Sequence, residues 1–88
     1  MTPLTEKQTR TLAERVGERL RGCREKARLS LDEAAARTGM SKAGLWQIET
    51  ARSSVHLSFV FRLARLYDVS LDWLVAEDAA QPRLEVTA

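Results

Sequence analysis

The chain has 88 residues, of which 44 % are hydrophobic and 30 % charged. That is too apolar for general disorder, and enough for one modest core but not two. Its net charge of +2 is unevenly spread, since residues 1–65 carry +6 and residues 66–88 carry −4, so a polyanionic partner is expected on one side only.

One cysteine, Cys23, excludes an internal disulfide and a thiolate metal cluster. No apolar run approaches the roughly 20 residues that span a bilayer, and the stretch Met1 to Arg10 is polar rather than signal-like, which points to an intracellular protein with no membrane partner.

Thr5 is placed to cap a first helix whose apolar stripe, Leu12, Val16, Leu20, Cys23 and Ala27, advances by fours and threes. Gly17 and Gly22 each weaken this helix by roughly 1 kcal/mol relative to alanine, which allows a break before Val16. Cys23 at this spacing is either a small core residue, the usual state of a free cysteine, or a redox switch.

Ser30 with Glu33 three residues on makes a capping box that starts helix two, and Gly39 stops it. Ser41 then caps helix three, which runs through Leu45 and Ile48 to about Thr50. Two helices joined this tightly cross steeply, so the first must present small side chains where they touch; Ala34, Ala35 and Ala36 supply them. The turn itself needs a positive φ, which glycine adopts at least cost. With Leu45 and Ile48 buried, Lys42, Ala43, Trp46 and Gln47 face outward. The spacing predicts a helix-turn-helix, whose second helix enters the major groove of DNA; a purely structural helix pair would show the same glycine turn.

Further on, Leu57, Val60, Ala64 and Tyr67 fall on one face of a fourth helix that ends at Asp68. Ser70 caps a short fifth helix, Leu71 to Ala76, and Gln81-Pro82 prevents continuation. Leu84 and Val86 alternate in the last residues, where a frayed end is the expectation. The predicted fold class is therefore all-α: a compact five-helix domain over residues 13–76, with residues 1–12 extending the first helix and residues 77–88 as a flexible tail.

One His and scattered carboxylates give no nucleophile–base pair, so no enzyme is expected. No metal or other cofactor is expected either, since His56 has no second histidine to share a metal.

The stretch from about Val16 to Val75 resembles the Cro/phage-repressor (XRE) family of helix-turn-helix regulators. "GERLRGCREKARLSLDEAAARTGMS" is similar to that family's first two helices, "LWQIE" to its third, and "LARLYDVSLDWL" to its fourth and fifth. The resemblance implies a lambda-repressor-like fold, double-stranded DNA as partner, and a cytoplasmic, nucleoid-associated protein encoded by a bacterium or phage. It also implies that Ser41, Lys42, Ala43 and Gln47 face the groove, with Gly44 close to the phosphate backbone, and that Arg24 pairs with Glu49.

Side-chain chemistry agrees, because Gln47 can pair bidentately with adenine and Lys42 can donate to guanine or phosphate. Arg52, Ser53, Ser54 and His56 can reach phosphates from the following loop. Trp46 either stacks on sugar or a thymine methyl, or folds back over helix one. The chain departs from the family at Leu31, often glutamine there, at Ala51, often a C-cap glycine, and at Val55, often proline.

Specific reading of an operator calls for two copies, so a homodimer on a palindromic site is expected, acting as a repressor. Phe59, Leu66 and Trp73 offer an interface, unless the extension around Leu4 and Leu12 covers the first two. The competing reading from another class is an antitoxin or other protein-interaction module with the same fold, its protein partner unknown.

Overall fold

A computed structural model describes residues 2–52 and 56–77. In chain order these form α1 (Glu6–Lys26), α2 (Leu31–Thr38), α3 (Lys42–Glu49), α4 (Leu57–Tyr67) and α5 (Leu71–Val75), with no strand among the described residues. No helix is long and apolar enough to cross a membrane among them. Ser53, Ser54, Val55 and the tail with Gln81-Pro82, Leu84 and Val86 lie outside the described residues.

The starts of α1, α2, α3 and α5 are set by hydroxyl caps, whereas α4 begins after His56 with no side-chain cap. Thr5 accepts from the Gln8 amide at 3.1 Å while the Gln8 side chain accepts from the Thr5 amide at 2.8 Å. Ser30 and Glu33 exchange the same pair of bonds, at 3.0 and 2.8 Å. Ser41 and Ser70 cap α3 and α5. Each such cap satisfies amides that the helix cannot satisfy itself.

The helix ends share one device. After α1, α2, α3 and α4 the chain turns left-handed at Arg28, Gly39, Ala51 and Asp68, and the next amide returns to a carbonyl five residues back. This is the Schellman arrangement. Only Gly39, at φ 72°, adopts it without a Cβ penalty.

The core draws one fully buried leucine from each of four helices: Leu20, Leu45, Leu63 and Leu74. From α2, Ala34 and Ala35 complete it, small enough for α3 to lie close. Ala36 is exposed, so only two of the three alanines serve the contact. Ala27 is likewise exposed, as the residue that ends α1, and the stripe of α1 stops at half-buried Cys23.

α1 is continuous for 21 residues, so the break allowed before Val16 does not occur. Gly17 is buried for a tertiary reason: a Cβ there would stand 2.5 Å from the Ile48 carbonyl oxygen and 2.7 Å from that of Glu49. The backbone at the end of α3 rests directly on this glycine. Gly22 faces open space.

On α4 the expected face holds at Val60 and Ala64, which are buried, and at half-buried Tyr67; Leu63 joins it, and Leu57 leaves it at 72 % exposed. As the first residue of its helix, Leu57 reaches past the core toward α1. Burial pushes the Cys23 thiol up, with Lys26 pulling weakly the other way. The shift favours the thiol over the thiolate that a reactive cysteine uses.

Candidate nucleic-acid interface

Four residues of α3 stand outward together. Lys42, Ala43, Trp46 and Gln47 are exposed, while Leu45, Ile48 and Glu49 on the other side are buried. Ser41 is exposed at the N-cap and Gly44 half-buried one turn on, its amide donating to the Ser41 hydroxyl oxygen at 2.9 Å. A cleft of about 410 Å³ brings Ser41, Gly44 and Gln47 together with His56 and Phe59 of the following segment.

Lys42 is also 3.8 Å from Asp32 at the start of α2, with both side chains exposed. An exposed pair of this kind contributes little to stability, so Lys42 is available to a stronger anion. Sequence spacing does not single out Asp32, which stands in the first turn of α2, about two turns before the α2–α3 junction.

Trp46 is 43 % exposed, and Arg52 lies over its ring, 5.2 Å from the centroid. The stack places a cation at the edge of the outward face, where phosphates flank a groove.

The pose of α3 is fixed from behind. Arg24 of α1 donates through Nε and Nη2 to the two carboxylate oxygens of Glu49, at 2.8 and 3.1 Å, and through Nη1 to the Leu29 carbonyl at 3.0 Å. The Glu49 side chain is only 3 % exposed. The hydrogen bond to Glu49 raises the Arg24 guanidinium further above its ordinary value. Tyr67 lies close by, its hydroxyl buried without a hydrogen-bond partner. Burial first and the nearby Glu49 carboxylate second push it up to about 12.

The turn is fixed from the side. Thr38 is buried with its hydroxyl donating to Ala34, and its carbonyl accepts from Arg62 of α4 at 3.1 Å. Arg62 in turn lies over the Phe59 ring.

The three residues expected at a two-fold interface are partly buried in their own domain. Phe59 packs edge-on to His56 and under Arg62, and Leu66 lies beside Arg37 and Thr38. Trp73 is covered by Arg19, whose guanidinium is 5.4 Å from its ring centroid and also holds the carbonyls of Trp73, Leu74 and Ala76. Among the described residues no group of His, Cys, Asp and Glu could hold a metal ion.

A small-residue helix crossing, a left-handed glycine turn and a second helix with one buried and one exposed face define a helix-turn-helix unit in α2 and α3. The chain belongs to the helix-turn-helix domain family, a DNA-binding family whose model matches residues 15–76. No curated protein matches the chain.

Proposed function

We propose that this chain is a sequence-specific transcription regulator of the Cro/phage-repressor type, binding a palindromic operator as a homodimer and repressing by occupying a promoter. The observation that carries this reading is the division of α3 into a buried edge and an exposed edge of Lys42, Ala43, Trp46 and Gln47.

In this reading Gln47 pairs with adenine, Lys42 donates to guanine or phosphate, and Ala43 meets a thymine methyl. Ser41 and Gly44 lie nearest the backbone, where Arg52, Ser53 and Ser54 add phosphate contacts and Trp46 stacks on sugar. The domain proper is residues 13–76, which the family match at 15–76 supports.

Selection of bound fragments from a random pool of DNA duplexes tests the reading. The expected product is a palindrome with half-sites about 34 Å apart, one turn of DNA. A reporter gene placed behind the selected site then loses expression when the chain is present. A pool that shows no enrichment overturns sequence-specific binding, and a reporter that rises instead overturns repression.

A further inference from the structure

Residues 6–11 of α1 are exposed on every side, and they precede the stretch that matches the family. The capping box at Thr5 and Gln8 starts them as helix, although a helical segment so short gains little stability without packing. Beside them runs a groove of about 980 Å³ whose apolar walls are Leu4, Leu12 and Ala13 on one side and Leu57, Val60 and Val75 on the other. Leu4, Leu57 and Val75 are 61, 72 and 45 % exposed, so three of the large exposed apolar side chains gather in one place. Apolar surface clustered this way marks an association site.

We propose that a second copy of this chain fills the groove, the two α1 overhangs lying antiparallel about a two-fold axis beside Gln8. The charges on the groove wall select this occupant. Glu6 and Arg10 both line it, one helical turn apart. In an antiparallel pair centred on Gln8, Glu6 of each copy meets Arg10 of the other, and Leu4 of each comes over Leu12 of the other. A parallel pair would instead set Glu6 against Glu6, which is repulsive. Arg52 and Ala51 also line the groove, so the interface begins where α3 ends and reaches the edge of the DNA-facing surface. An isologous contact of this kind closes on itself as a dimer.

This interface rests on the dimeric reading above, but self-association is measurable without DNA, so its failure is distinct from a failure of operator binding. Analytical ultracentrifugation of the full chain is expected to show a dimer. Glu6→Arg and Arg10→Glu each set like charges at two contacts and weaken dimerisation by about tenfold. An equimolar mixture of the two variants restores it, because every contact is then between opposite charges. Leu57→Glu weakens it by about a hundredfold through a charge placed in the apolar groove, with helicity unchanged because Leu57 is outside the core. A wild type that stays monomeric overturns the proposal. So does a mixture that fails to restore dimers, or a Leu66→Glu, Trp73→Glu variant that becomes monomeric while Leu57→Glu does not.

Discussion

Arg24 holds both carboxylate oxygens of Glu49 across 25 residues of sequence, and its third guanidinium nitrogen holds the carbonyl of Leu29. One guanidinium thus ties α1, the turn after it and the last residue of α3. A bidentate pair of this geometry is far more directional than a lysine contact would be. Removing Arg24 leaves a buried carboxylate unpaired, so Arg24→Ala is expected to cost about 3 kcal/mol in urea unfolding. Arg24→Leu with Glu49→Leu recovers most of that loss, because an apolar pair leaves no charge behind. A double variant as unstable as Arg24→Ala would show that the pair's effect lies elsewhere.

The two glycines of α1 are expected to respond in opposite directions. Gly22→Ala should stabilise by about 0.5–1 kcal/mol, since its Cβ meets nothing and helix propensity alone decides. Gly17→Ala should destabilise by about 2 kcal/mol or more, as α1 is forced away from the Ile48 and Glu49 carbonyls. Thermal melts of the two variants beside wild type check both signs.

Ala51 ends α3 in the left-handed region, at φ 56°. Glycine adopts that conformation without the Cβ clash, so Ala51→Gly is expected to raise stability by about 1 kcal/mol. No gain in the melting temperature would mean that the turn is relaxed in solution.

Gln47→Ala should cost about 1–3 kcal/mol on the best operator and relax the preference at one base pair per half-site. Arg52→Ala should weaken all sequences alike and flatten the salt dependence, in which each neutralised phosphate contributes about −0.9 to the log–log slope. Titrations on cognate and scrambled duplexes at several salt concentrations separate the two. Uniform loss in both variants would reassign Gln47 to the backbone.

Tyr67 gives the fold a pH limit. Its hydroxyl titrates at about 12 in the folded chain against an ordinary 10.0, so between these values the unfolded chain releases a proton that the folded chain keeps. The unfolded state then binds fewer protons, and stability falls as pH rises from 10 to 12. With the ring half-buried the loss is about 1 kcal/mol after allowance for solvent screening. Tyr67→Phe should flatten that fall and, by deleting a hydroxyl with no partner, be neutral or stabilising at pH 7. Urea midpoints measured across this pH range decide it.

The caps were legible because each is a local event. Ser30 with Glu33, Gly39, Ser41, Asp68 and Ser70 act within five residues of themselves, and short-range spacing reveals them. The role of Gly17 was not, since the carbonyls it meets are more than thirty positions away and local propensity sees only a weak helix former. The face of α4 was misjudged at Leu57 for a related reason. Its place in the apolar stripe is sound, but the core ends before the first turn of the helix does. On α3 the division into buried and exposed edges followed from Leu45 and Ile48 alone. The arginines that brace the fold, Arg62 on the Thr38 carbonyl at the α2–α3 turn and Arg19 on the end of α5, left no mark in a pattern of hydrophobic spacing.

The Trp46–Arg52 stack has an optical consequence. The chain holds two tryptophans in unlike surroundings: Trp46 faces outward under a guanidinium, while the Trp73 indole nitrogen is buried without a partner. Their emission is expected to differ accordingly, the exposed indole to the red of the enclosed one. Trp73→Phe would leave Trp46 as the sole tryptophan, beside the residues proposed to meet DNA. A duplex that engages Arg52 changes the surroundings of the Trp46 ring, so emission from Trp46 is expected to report occupancy of the proposed DNA-binding face with no attached dye.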